Sequence, residues 1–217
     1  YEGDKIIGKS ILEKTNNYKT SFEIQKISGF KGKLSIQDSQ VHFDDIFYFN
    51  IPKKNKISVL AISENTSSLF LQKIYSKDEF TFKNQDHKSI NFSKINDANL
   101  IILNGVNNIS IALKNSLKKF MSKGGAIILI PGRQGNILSY NQLISTQSSD
   151  YLQPKRLLGK KVTEIEFNHF ILKDAFKSKV SNFQYPYVKS YYPTTSLSNK
   201  ILSFEGQQAF LFQFNSL

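Results

Sequence analysis

Three short apolar runs, separated by polar and amphipathic stretches, constrain this chain more than any other feature. KISVLAI at 56–62, ANLIILNGV at 98–106 and GGAIILIPGRQGN at 124–136 have strand length, and their apolar residues are consecutive instead of alternating. A strand that is apolar on both faces must be covered on both, which is the situation of a strand inside a parallel sheet flanked by helices. The intervening segments fit that arrangement. SENTSS at 63–68 supplies N-cap candidates for a helix over LFLQKIY at 69–75, and EFTFKN at 79–84 reads as a short strand. INFSKINDA at 90–98 reads as a brief helix or loop, and a longer helix is predicted from about Ser110 to Ser122. Its Ile111, Leu113, Leu117, Phe120 and Met121 fall mainly on one side, and Gly124-Gly125 stops it. With a further strand at 126–130 and a helix from about Ile137 to Ile144, the order is βαβαβα with right-handed crossovers.

The flanks differ in character. Residues 1–52 read as a β-rich segment, the end of a β-sandwich, and 53–217 as the α/β domain, with the proline and lysines of PKKNK at 52–56 marking the joint. SFEIQKI (21–27), KLSIQDSQVHF (33–43) and DDIFYFNI (44–51) are the expected strands, with turns at Gly29-Phe30-Lys31-Gly32 and Gln37-Asp38-Ser39. TQSSDYLQPKRLLGKK at 146–161 reads as a polar, mobile connection. Beyond it the chain reads as strands and loops around a short helical turn, ending in a hairpin at 201–214 with Glu205-Gly206-Gln207 at its tip. The abrupt start at YEGDKIIGKS and the apolar run at the other end, FLFQFNSL, are expected of a fragment of a longer protein.

Composition narrows the chemistry. The chain has no cysteine, which excludes disulfides, thiolate metal sites and a cysteine nucleophile. A formal charge of +12 raises nucleic acid or anionic membrane as partners, yet only Arg133 and Arg156 are arginine, and the lysines are scattered along the chain in runs no longer than two. That scatter fits a solvated lysine surface, and nucleic acid is not the expected partner. No run of about 18 apolar residues is present, so any membrane attachment would come through other segments.

Ligands of doubly wound sheets gather at the carboxyl ends of the strands. That places the candidate ligand-binding residues at Asn104 and Gly105, and at Gly132, Arg133, Gln134, Gly135 and Asn136. The second group joins a buried strand to a helix N-terminus, where backbone N–H groups and Arg133 can hold a carboxylate or phosphate. A tight strand-to-helix turn also needs glycine for purely structural reasons, and G-x-x-G falls short of a dinucleotide fingerprint or P-loop, so no cofactor is expected. His42 and His87 read as solvent-facing or hydrogen-bonded side chains. His169, beside Glu164 and Glu166, can serve as acid or base with Glu166, or simply lie on the polar face of a strand, and the donor spacing implies no metal site. Phe183, Tyr185, Tyr187, Tyr191 and Tyr192 form either a binding surface or local core. No G-x-S-x-G elbow is present.

Three stretches, HFDDIFYFNIPKKNKISVLAI (42–62), NLIILNGVNNISIALKNSLKKFMSKGGAIILIPG (99–132) and EIEFNHFILKDAFKSKVSNFQYPYV (164–188), resemble the extracytoplasmic region of bacterial BatA-type membrane proteins linked to aerotolerance operons. That resemblance implies a β-sandwich segment followed by a flavodoxin-like domain similar to class I glutamine amidotransferases. It also implies membrane helices elsewhere in the full protein and a periplasmic location. In true amidotransferases a cysteine occupies the turn after the strand matching AIILIPG, where this chain has Pro131-Gly132-Arg133. The expectation is therefore a non-catalytic interaction or ligand-sensing domain with an unidentified protein partner. The alternative is a cysteine-free hydrolase or sugar-binding relative using His169 and Glu166.

Overall fold

The computed structural model describes residues 5–11, 19–23, 29–36, 45–53, 55–64, 68–75, 78–145, 151–173, 175–176, 184–195 and 199–214, and its chain divides into two units, Tyr1–Lys56 and Ile57–Leu217. In the first unit β1 (Phe30–Ser35) and β2 (Ile46–Ile51) form an antiparallel pair, Phe30 opposite Ile51 and Ser35 opposite Ile46. The turn expected over 29–32 is corrected: Gly29 has the positive φ of a turn residue, 82°, but Phe30, Lys31 and Gly32 are already in β1. Gly32 is a strand glycine. A Cβ there would strike the rings of Phe30 and Phe49, which pack 5.7 Å apart across the pair. Among the described residues this unit holds one two-stranded sheet. His42 and the turn at 37–39 lie outside them.

The second unit opens with the buried run. β3 (Ile57–Ser63) pairs in parallel with β4 (Phe80–Asp86) on one side and with β5 (Leu100–Asn104) on the other, and β6 (Ala126–Ile130) pairs in parallel with β5. The sheet order is β4-β3-β5-β6. This is a parallel α/β sheet compatible with a flavodoxin-like fold, in which the chain starts at a central strand, moves one way and then the other. Crossovers of one hand then place helices on opposite faces, and the packing follows. Leu71 of α1 (Leu69–Ile74) meets Val59, Ala61 and Ile102 on one face, with Tyr75, Phe80 and Phe82 beside them. The other face, carrying Leu60, Ile62, Ile101 and Leu103, receives α2 (Ser93–Asn96), α3 (Ile111–Met121) and α4 (Ile137–Ile144) through Ile95, Leu113, Leu117, Phe120, Tyr140 and Leu143. Each fully buried leucine in that layer stabilises the fold by roughly 1.5–3 kcal/mol.

Local signals set the helix ends. Ser110 Oγ accepts from the Leu113 N–H and Asn136 Oδ1 from the Ser139 N–H, capping α3 and α4. Gly124, at φ 85°, lets the chain turn out of α3, and its N–H donates to the Met121 carbonyl.

After α4 the described residues add no further parallel strand. They build an antiparallel sheet of order β10-β9-β7-β8 from β7 (Lys160–Ile165), β8 (Tyr187–Val188), β9 (Lys200–Phe204) and β10 (Ala209–Phe212). Val162, Tyr191 and Phe204 form its buried centre. The β9–β10 hairpin turns through Gly206 and Gln207, with φ 80° and 62°, at the expected tip. The connection expected to be mobile is pinned from 151 onward. Asn141 Nδ2 donates to the Leu152 carbonyl while its Oδ1 accepts the Leu152 N–H, and Arg156 bridges to Tyr191. An amide that satisfies both backbone groups of one residue is a fixed anchor that the polar composition of the segment conceals.

Candidate functional site

The first loops of this sheet leave on opposite faces, α1 following β3 and α3 following β5, so the carboxyl ends of those neighbouring strands flank the topological switch point. Polar side chains collect there. The fully buried Ser63 hydroxyl donates to Asn84 Oδ1 at 2.8 Å and accepts from Asn104 Nδ2 at 3.4 Å. Glu64 follows it, and its Oε2 accepts the Asn107 N–H at 2.9 Å. His87, just past the end of β4, donates its backbone N–H to the Ser63 carbonyl. Its imidazole, with 18% side-chain exposure, lies between two carboxylates, Nε2 at 3.6 Å from Glu64 Oε2 and Nδ1 at 3.4 Å from Asp86 Oδ1. The second approach is off the hydrogen-bonding direction, leaving Nδ1 buried without a hydrogen bond.

Asn107 joins this cluster to the turn after β6. Its Oδ1 accepts the Gln134 N–H at 3.0 Å and its carbonyl accepts the Asn136 N–H at 2.6 Å. Two tyrosines close the rest of the turn. The Tyr140 hydroxyl accepts the Gly132 N–H at 2.9 Å and donates to the Val106 carbonyl at 2.6 Å. The Tyr192 hydroxyl accepts the Gly135 N–H at 2.9 Å and donates to the Gly132 carbonyl at 2.7 Å, with the two rings edge to face. Burial raises the Tyr140 pKa, which the Gly132 N–H partly offsets, while the charges of Tyr192 and Glu64 push it further up. The glycines are sterically required: a Cβ on Gly132 would meet the Asn107 side chain and the Gly105 carbonyl, and one on Gly135 the Tyr140 ring.

Six of the expected ligand residues, Asn104, Gly105, Gly132, Gln134, Gly135 and Asn136, thus lie along one edge, held by Ser63, Asn107, Tyr140, Tyr192 and main-chain bonds. Gly105, at φ 70°, donates its N–H to the Ile130 carbonyl. Arg133 is exposed, and its carbonyl accepts from Lys155 Nζ at 2.8 Å. The N–H groups of Gly132, Gln134, Gly135 and Asn136, the donors an anion would use, are engaged by the protein's own oxygens. Sequence pattern does not single out Glu64, Asp86, Asn107 or Tyr140, it offers Tyr192 only as one of an aromatic cluster, and it makes His87 look like an ordinary loop residue. For Glu64, Asp86 and His87 a signal is present, since each closes or follows a strand at the end where ligands of such sheets gather.

Glu166 and His169 sit apart from this edge in the turn after β7, in the antiparallel sheet. The His169 N–H donates to the Glu166 carbonyl, and His169 Nδ1 accepts the Ile171 N–H at 3.3 Å. Glu166 Oε1 accepts the Asn168 N–H, so both side chains serve the local turn. The aromatic cluster divides: Tyr191 packs against Phe204 at 4.7 Å, Tyr192 closes the β6 turn, and Tyr187 is exposed, while Phe183 lies outside the described residues. Among the described residues no group of three or more His, Asp or Glu is placed to hold a metal ion, and no helix is long and apolar enough to cross a membrane. No protein-family model matches this sequence, and no curated protein matches it.

Proposed function

We propose that the protein is a non-catalytic interaction or ligand-sensing domain of a membrane-anchored protein, acting outside the cytoplasm on an amidotransferase-like scaffold that lacks the nucleophilic cysteine. The observation that carries this reading is the closed turn after β6. Acyl-transfer chemistry needs free N–H donors aimed at a developing oxyanion and a nucleophile beside them. Here the Gly132, Gln134, Gly135 and Asn136 donors are bonded to Tyr140, Tyr192 and Asn107, and the nearby Ser63 hydroxyl is fully buried between Asn84 and Asn104. The extracytoplasmic setting rests on the resemblance alone. The hydrolase alternative through Glu166 and His169 gains no comparable support, because their side chains accept backbone N–H groups of their own turn.

The test is turnover of glutamine, p-nitrophenyl acetate and p-nitrophenyl glycosides by the wild-type chain, His87→Ala and His169→Ala. The expected result is no turnover that depends on either histidine. A rate that collapses in one variant while its fold persists would replace this reading with an enzymatic one.

A further inference from the structure

Among the described residues β6 is an edge strand, and its sequence, AIILI, carries neither of the side-chain protections against strand addition, charge or proline. The opposite edge strand, β4, has Lys83, Asn84 and Gln85 along its length. The direction of its main-chain groups follows from two bonds. The Ala126 N–H donates to the Asn99 carbonyl and the Ile130 carbonyl accepts from Gly105, so Ala126, Ile128 and Ile130 turn their backbone groups toward β5. By alternation, the N–H and C=O groups of Ile127 and Leu129 point away from the sheet. Their side chains pack on the core layer, while Ile128 and Ile130 stand 38% and 41% exposed on the face that α1 covers only over β3, β4 and β5. An open ladder with two exposed isoleucines is the surface to which an extended peptide adds as a further strand.

Charge selects the occupant. From 98 to 149 the chain contains no acidic residue and five basic ones, Lys114, Lys118, Lys119, Lys123 and Arg133. Lys123 precedes β6, Arg133 follows it, and both are exposed. A second copy is disfavoured, because two-fold pairing of β6 with itself is antiparallel and would set Lys123 of one chain beside Arg133 of the other. Resting on the interaction reading above, we infer that the outer edge of β6 binds an extended segment of another polypeptide, with alternating apolar residues flanked by acidic ones. Main-chain bonds to Ile127 and Leu129 supply the affinity, and the flanking charges choose the partner.

The probe is a nine-residue peptide of alternating valine and threonine between paired glutamates, compared with the same peptide flanked by lysines. Amide shifts and hydrogen exchange of the wild-type chain and of a Lys123→Glu/Arg133→Glu variant are the readouts. The expected result is slowed exchange at Ile127 and Leu129 with the acidic peptide alone, and about tenfold weaker binding by the variant. Unprotected Ile127 and Leu129 amides, equal binding of both peptides, or the same protection arising from self-association without peptide would each overturn the proposal. None of these results creates histidine-dependent turnover, so failure at this edge remains distinct from failure of the non-catalytic reading.

Discussion

At the scale of single residues, the Tyr140 hydroxyl holds the site edge together. It joins the Gly132 N–H to the Val106 carbonyl from a fully buried ring. Tyr140→Phe keeps the shape of the ring and leaves both main-chain groups without that partner, so the expected loss is about 1–3 kcal/mol, read as a lower urea midpoint at unchanged slope. The same group makes a pH prediction. Its folded pKa is raised above the ordinary 10.0 by burial first, so the folded state holds the phenol proton more tightly than the unfolded chain. Its contribution is complete below pH 10.0 and is lost as pH rises from there through the folded value. Urea midpoints of wild type and Tyr140→Phe should therefore converge in strongly alkaline solution, and a constant difference would contradict this. None of this is legible at Gly132-Arg133-Gln134-Gly135, where the glycines announce a tight turn but not what fills it. Tyr192 reaches that turn from 60 residues away, and no local pattern records such a partner.

Among the elements, α3 and α1 form a contrast. Ser110 caps α3 through a side-chain bond to Leu113, whereas Ser68, at the same position of α1, makes none. Ser110→Ala is expected to lower stability by about 1 kcal/mol in urea unfolding, and an unchanged midpoint would show that packing of Leu113 and Leu117 alone secures the helix. These elements are legible because their causes are local: consecutive apolar residues for β3, β5 and β6, one-sided apolar spacing for α3, and Gly124 at its end. The start of β1 is not, because Gly32 looks like a turn residue in sequence, and only the packing of the Phe30 ring against Phe49 on the facing strand shows why a side chain is excluded there.

For the whole molecule, the division at Lys56 and Ile57 has a direct consequence. The segment 57–217, produced alone, should keep the amide shifts of β3, β5 and β6 and unfold in one cooperative step. Collapse of the spectrum would show that the first unit is required for the second. The chain's own residues determined where the strands of the parallel sheet and its helices form, because periodicity, caps and glycines act within a few positions of one another. The absence of cysteine excludes thiol chemistry whatever the fold, since no arrangement of the chain can supply a sulfur nucleophile it does not contain. Tertiary structure alone decided the order β4-β3-β5-β6, the antiparallel sheet that follows, and the meeting of Glu64, His87, Asn107, Tyr140 and Tyr192. Those contacts join residues far apart in the chain, and they exist only because packing apolar faces brings the strand ends and their loops to one edge.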